Sequence, residues 1–110
     1  MKQYVIDQLR ESDYNKILEF LQKNAESPEF GDVFWLKLPE KLYSDRQKEH
    51  TQCQPFWFAV NLSYKQVDFE LLIRSRNIIR CNCVAYADKN QMDYITGFAD
   101  NMLEELNIRI

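Results

Sequence analysis

With 110 residues, 45% of them apolar and 28% charged, the chain has the make-up of one ordinary globular domain, 1–110, long enough to bury a core without disulfide staples. A formal net charge of −3 argues against non-specific nucleic-acid binding, whose affinity comes from neutralising phosphates. No apolar run reaches the roughly 20 residues of a membrane helix, and the opening MKQYVIDQLR lacks a signal peptide's apolar core. Three cysteines, an odd number, fit a reducing compartment. The expectation is a cytoplasmic protein with no membrane or nucleic-acid partner.

Gln3 to Leu9 predicts a short strand centred on Val5 and Ile6. Ser12 then reads as a helix cap, with a helix from Asp13 to about Asn24 and a stripe of Tyr14, Ile17, Leu18 and Leu21. Asp13 suits the positive end of the helix dipole. Pro28 and Gly31 mark a loop over residues 26–31. Val33 to Leu38 predicts a strand that ends at Pro39, which has no N–H to donate to a sheet. Ser44 followed by Gln47 is a capping box and predicts a short helix from Asp45 to about His50.

The stretch from Gln54 to Tyr86 reads as three strands, QPFWFAVNLS, QVDFELLIRS and IIRCNCVAYA. Short polar turns, residues 63–66 and 75–77, imply antiparallel hairpins. Parity sets the register. Leu62 falls opposite Val67, Val60 opposite Phe69, Phe58 opposite Leu71 and Phe56 opposite Ile73. Across the second turn Ile73 falls opposite Ile79, Leu71 opposite Cys81, Phe69 opposite Cys83 and Val67 opposite Ala85. Every partner is apolar, and a one-residue slip would mix the two faces, so this set is the expected core.

Asp88 and Gln91 form a second capping box. They start the strongest helix, whose stripe is Met92, Ile95, Ala99, Met102 and Leu106, with Asn107 as its C-terminal cap. Gly97 lowers its propensity and suggests a close approach to the sheet. The order is β-α-β-(short α)-β-β-β-α. It predicts an α+β, two-layer sandwich: a mainly antiparallel sheet of four to five strands with two long helices on one face, loosely ferredoxin-like. Fold analogy of that kind transfers no function.

The face opposite the core carries the candidate binding residues Trp57, Glu70, Leu72, Arg74, Arg80 and Asn82. Aromatics and arginine are common interface anchors, so this face suits a protein partner or a second copy of the chain. Arginines near the second turn also suit an anion, and Asp68 with Glu70 forms a carboxylate pair. Three readings follow. The first is a small binding or interaction module, homodimeric through the open sheet face. The second is a small enzyme or anion-binding protein using Glu70, Arg80 and Asn82. The third is a Cys/His metal or redox site.

For the third, His50-x-x-Cys53 and Cys81-x-Cys83 are a zinc-like set by residue type. The expected register opposes it. Cys81 level with Phe58 lies two strands away, about 9–10 Å, and Cys53 lies roughly 16 Å further along an extended chain. The resulting separation is about 19 Å, against zinc–sulfur bonds of about 2.3 Å. The expectation is therefore core cysteines, with no metal and no cofactor. Nor does a lone Cys53–His50 pair come with a glycine-rich turn to supply an oxyanion site. No phosphate loop, dinucleotide fingerprint, metalloprotease helix or RNA-binding aromatic motif is present.

Overall fold

A computed structural model describes residues 2–27 and 33–109. The loop signals Pro28 and Gly31 lie outside the described residues. The elements are β1 (Gln3–Ile6), α1 (Glu11–Asn24), β2 (Val33–Lys37), α2 (Asp45–Glu49), β3 (Phe56–Ser63), β4 (Gln66–Glu70), β5 (Leu72–Ser75), β6 (Ala85–Tyr86) and α3 (Lys89–Glu105). They form a two-layer α+β sandwich with a six-stranded sheet, antiparallel at every pairing. β3 is the central strand. It pairs β2 along one edge, and β4 and then β5 along the other. β1 pairs β4 and β6 pairs β5. The likeness to a ferredoxin-like fold stops at the two layers.

The first hairpin has the expected register, with Leu62 opposite Val67 and Val60 opposite Phe69. Beyond it the pairing jumps. Trp57 faces Arg74 and Phe56 faces Ser75, so Phe58 and Ala59 stand against four residues, Glu70 to Ile73. The expected Phe58–Leu71 and Phe56–Ile73 pairs are displaced by this bulge. Because the displacement is an even number of residues, no side chain changes face. Phe56, Phe58, Val60, Leu62, Val67, Phe69, Leu71 and Ile73 are all buried. Leu71 turns its backbone outward at the bulge: its N–H donates to Lys2 and its carbonyl accepts from Ala87.

Both long helices pack on that face. α1 buries Ile17 and Leu21, and α3 buries Ile95, Ala99 and Met102. The Phe98 ring packs edge-on to Phe58, Phe69 and Phe20, with centroids 6.0–6.4 Å apart. Edge-to-face pairs of this kind add to the burial of area that holds the layers together.

The helix ends explain several departures from the sequence reading. α1 begins at Glu11 with Arg10, not Ser12, in the cap position. Buried Asp13 takes over the capping by accepting the backbone N–H and the guanidinium of Arg10. Arg10 therefore holds the Asp13 carboxyl below the usual carboxylate range, against the upward push of burial. The capping boxes at Ser44/Gln47 and Asp88/Gln91 form as expected. Asn107 ends α3 in the left-handed region, at φ 57°. Its N–H donates to the carbonyl of Glu104 and that of Ile108 to Leu103, a Schellman arrangement. Met92, expected in the stripe, is exposed, and Gln91 is buried in its place. A Cβ on Gly97 would meet nothing within 4 Å, so that glycine permits no close approach.

Candidate metal centre

The third expected strand does not form. After Ser75 the chain makes a loop from Arg76 to Val84, and only Ala85 and Tyr86 return to pair, opposite Ile73 and Leu72. The cause lies in local hydrogen bonds. The Ser75 hydroxyl oxygen accepts the N–H groups of Asn77 (3.2 Å) and Ile78 (3.1 Å), which curls the backbone away from a tight hairpin. Further on, the Val84 N–H donates to the Cys81 carbonyl, closing a turn over residues 81–84. Ile79, expected in the core, is 80% exposed, and Ala85 is exposed as well.

This loop overturns the expected separation of the cysteines. The ligand atoms of His50, Cys53, Cys81 and Cys83 all lie within 4.8 Å of one another. His50 Nδ1 stands 3.1 Å from the Cys81 sulfur. Two segments supply the four groups. His50 caps α2, and a single 3-10 turn over Thr51–Cys53 follows it directly. Side chains three apart eclipse in a 3-10 turn, which sets His50 and Cys53 on one side. Cys81 and Cys83 occupy the first and third positions of the turn closed by Val84.

The surroundings fix both segments. The Ser75 hydroxyl donates to the Cys53 carbonyl at 2.7 Å, and the Asn77 amide donates to the Gln54 carbonyl at 2.7 Å. The Gln47 amide donates to the Cys83 carbonyl at 3.5 Å, and Arg46 to the Asn82 carbonyl at 3.4 Å. Gln47 is in turn held by Gln91, whose amide donates to the Gln47 side-chain oxygen and to the Leu42 carbonyl, both at 2.9 Å. The third residues of the two capping boxes thus bond to each other, both of them buried. Such outer contacts orient metal ligands and tune their affinity.

The donor set meets the requirements of tetrahedral zinc. Bonds of about 2.3 Å to sulfur and 2.0–2.1 Å to nitrogen place ligand atoms roughly 3.5–3.8 Å apart, so closing this cluster on an ion needs only small movements. The thiols are free. The backbone N–H of Cys83 points at the Cys81 sulfur and is the main reason the Cys81 thiol is lowered to about 6. Burial is the main reason the Cys83 thiol is pushed up to about 12. One thiolate is favoured as it stands, and the buried Cys83 needs a cation to ionise beside it. Four protein ligands fill a tetrahedral shell, which is the form of a structural rather than a catalytic zinc site.

Of the six binding residues expected on the open sheet face, Trp57, Glu70, Leu72 and Arg74 lie on the sheet, with Arg74 opposite Trp57 and paired with Glu70, while Arg80 and Asn82 do not join them. Trp57 is in β3 but only 7% exposed, because Arg76 covers it at 4.9 Å and Lys37 at 5.4 Å. Arg76 also stacks on Trp35, at 5.1 Å, and bonds Glu26 at 3.4 Å. Glu70 accepts from Asn61 (3.0 Å) and Arg74 (3.3 Å), which gives an internal ion pair. Leu72 is half-buried in β5. Arg80 and Asn82, expected beside Glu70, leave the sheet and are exposed on the 76–84 loop. The residues that sequence reasoning left out of the site are the four zinc-type ligands, together with Trp35 and Arg76. The signal for the four was their residue type and spacing, set aside because a strand was assumed through Cys81. No helix among the described residues is long and apolar enough to cross a membrane. No protein-family model matches the chain, and no curated protein or solved structure matches it.

Proposed function

We propose that the chain is a small zinc-binding domain in which His50, Cys53, Cys81 and Cys83 hold one structural Zn²⁺. One observation carries this reading: four zinc-type donors, from segments about thirty residues apart, converge to within 4.8 Å. Soft thiolates with one imidazole in a tetrahedral array favour zinc over magnesium or calcium. The ion would clamp the 76–84 loop to the end of α2. Protein purified without chelator should carry about one zinc per chain, and Cys53→Ser and Cys83→Ser should lose it. Wild type that is refolded with excess zinc and still holds far less than one equivalent would sink the reading.

A second reading is an interaction module that self-associates through the sheet face opposite the helices. Its support is that both long helices lie on the other face, while Val5 and Tyr86 are 45% and 44% exposed. Those two, rather than the covered Trp57, are the apolar anchors that this face offers. Light scattering on wild type and a Val5→Lys/Tyr86→Lys variant tests it. A monomer in both cases removes the basis.

A further inference from the structure

Resting on the zinc reading, we infer that this centre is a hydroperoxide-sensitive switch, in which Cys81 is the entry point and Cys53 its disulfide partner. The four ligands are unequally placed. Cys53 and Cys83 are 3% and 2% exposed, whereas Cys81 is only half-buried. An open cleft of about 410 Å³ runs past it, lined by Glu49, His50, Thr51, Gln52 and Ile78 as well as Cys53 and Cys81. A small polar oxidant therefore reaches the Cys81 sulfur without any core side chain moving.

The chemistry balances with a hydroperoxide as the oxidant. The Cys81 thiolate attacks one peroxide oxygen, forming an S–O bond and breaking the O–O bond. The leaving oxygen takes a proton and departs as water or an alcohol. The Cys53 thiolate then attacks the Cys81 sulfur, forming the S–S bond and expelling hydroxide, which a second proton converts to water. Two thiolates have given up two electrons, one peroxide has been reduced, and the ion has lost two of its ligands. Cys53 is the partner because it comes from the other segment and its sulfur lies within the same 4.8 Å cluster. Cys83 is tied to Cys81 through a single intervening residue, whose backbone limits how the two sulfurs can meet. Loss of the ion unpins the 76–84 loop, which displays Ile79, Arg80 and Asn82, while the sandwich stays intact.

The test uses the full chain loaded with zinc, and its zinc content is measured first. Hydrogen peroxide is then added in the presence of a chromogenic zinc chelator. The expected result is release of the bound zinc, with a chain lighter by the mass of two hydrogens and a Cys53–Cys81 link in the peptide map. A thiol reductant plus zinc should restore the starting state. In a parallel sample, a sulfenic-acid trap should label Cys81 first. A chain that carries no zinc before peroxide sinks the zinc reading and this inference with it. A chain that carries zinc and keeps it, or that is first trapped at Cys53 or Cys83, overturns the inference alone.

Discussion

Replacing Gln91 with methionine tests whether the paired capping boxes hold the structure behind the metal centre. The side chain keeps its length, so little cavity is created and the loss is polar. Three bonds disappear: Gln91 to the Leu42 carbonyl, Gln91 to Gln47, and the Asp88 N–H to Gln91 at 3.1 Å. The Gln47 oxygen keeps its bond from the Ser44 N–H at 2.9 Å. The Asp88 carboxylate still accepts the backbone N–H at position 91, at 2.9 Å. That leaves the Leu42 carbonyl and the Asp88 N–H short of a partner, at about 1–3 kcal/mol for each such group when buried. Both are only partly buried, so Gln91→Met should cost about 2–4 kcal/mol in urea unfolding with zinc present. Gln22→Met, on the exposed side of α1, should stay within about 0.5 kcal/mol of wild type. A double-mutant cycle with Gln47→Met should show a coupling of about 0.5–3 kcal/mol. Because Gln47 alone also reaches the Cys83 carbonyl, its loss should weaken zinc binding by about tenfold, more than Gln91→Met does. Gln91→Met indistinguishable from wild type would refute the reasoning.

Phe69→Ala, at a fully buried position, should cost about 3–5 kcal/mol, and Glu70→Gln on the opposite face about 1 kcal/mol or less. Similar losses in denaturant melts would mean that the two faces are wrongly assigned. Gly97→Ala should stabilise the domain by about 0.5–1 kcal/mol, since a methyl there meets open space and α3 gains propensity. A destabilised variant would place a neighbour where none is seen. The Asp13 carboxyl is lowered in the folded state, so its contribution is fully present above the ordinary carboxylate range, near pH 4, and is lost as pH falls through the folded value. The stability gap between wild type and Asp13→Asn should accordingly be widest near neutrality and close in acid. A gap that widens on acidification would reverse that sign.

Much of the fold was legible because independent local signals agreed. Alternation in Phe56–Ser63 and Gln66–Glu70 set the register of the first hairpin, and two capping boxes set the starts of α2 and α3. Alternation also kept the core face correct through a bulge that it had no means of revealing, because a shift by two residues leaves parity unchanged. The metal centre stayed hidden for a related reason. Ile79, Cys81, Cys83 and Ala85 alternate as a strand would, since cysteine reads as apolar whether it fills a core or faces an ion. Composition offered the counter-signal: Asn82 and Ala85 are poor strand formers, and Ile78 beside Ile79 breaks the period. The Ser75 hydroxyl decides between the two outcomes, and its role depends on the Cys53 carbonyl, a contact 22 residues away in the chain. Ser12 misled in the same way, because the bonds between Asp13 and Arg10 start α1 two residues earlier than a serine cap would.

In the proposed centre, two segments far apart in sequence meet on one ion. X-ray absorption at the zinc edge, on the purified 110-residue chain, measures this most directly. The expected result is a four-coordinate shell of three sulfurs at about 2.3 Å and one imidazole nitrogen at about 2.0–2.1 Å. A shell of nitrogen and oxygen alone, or one with fewer than three sulfurs in protein kept reduced, would contradict it.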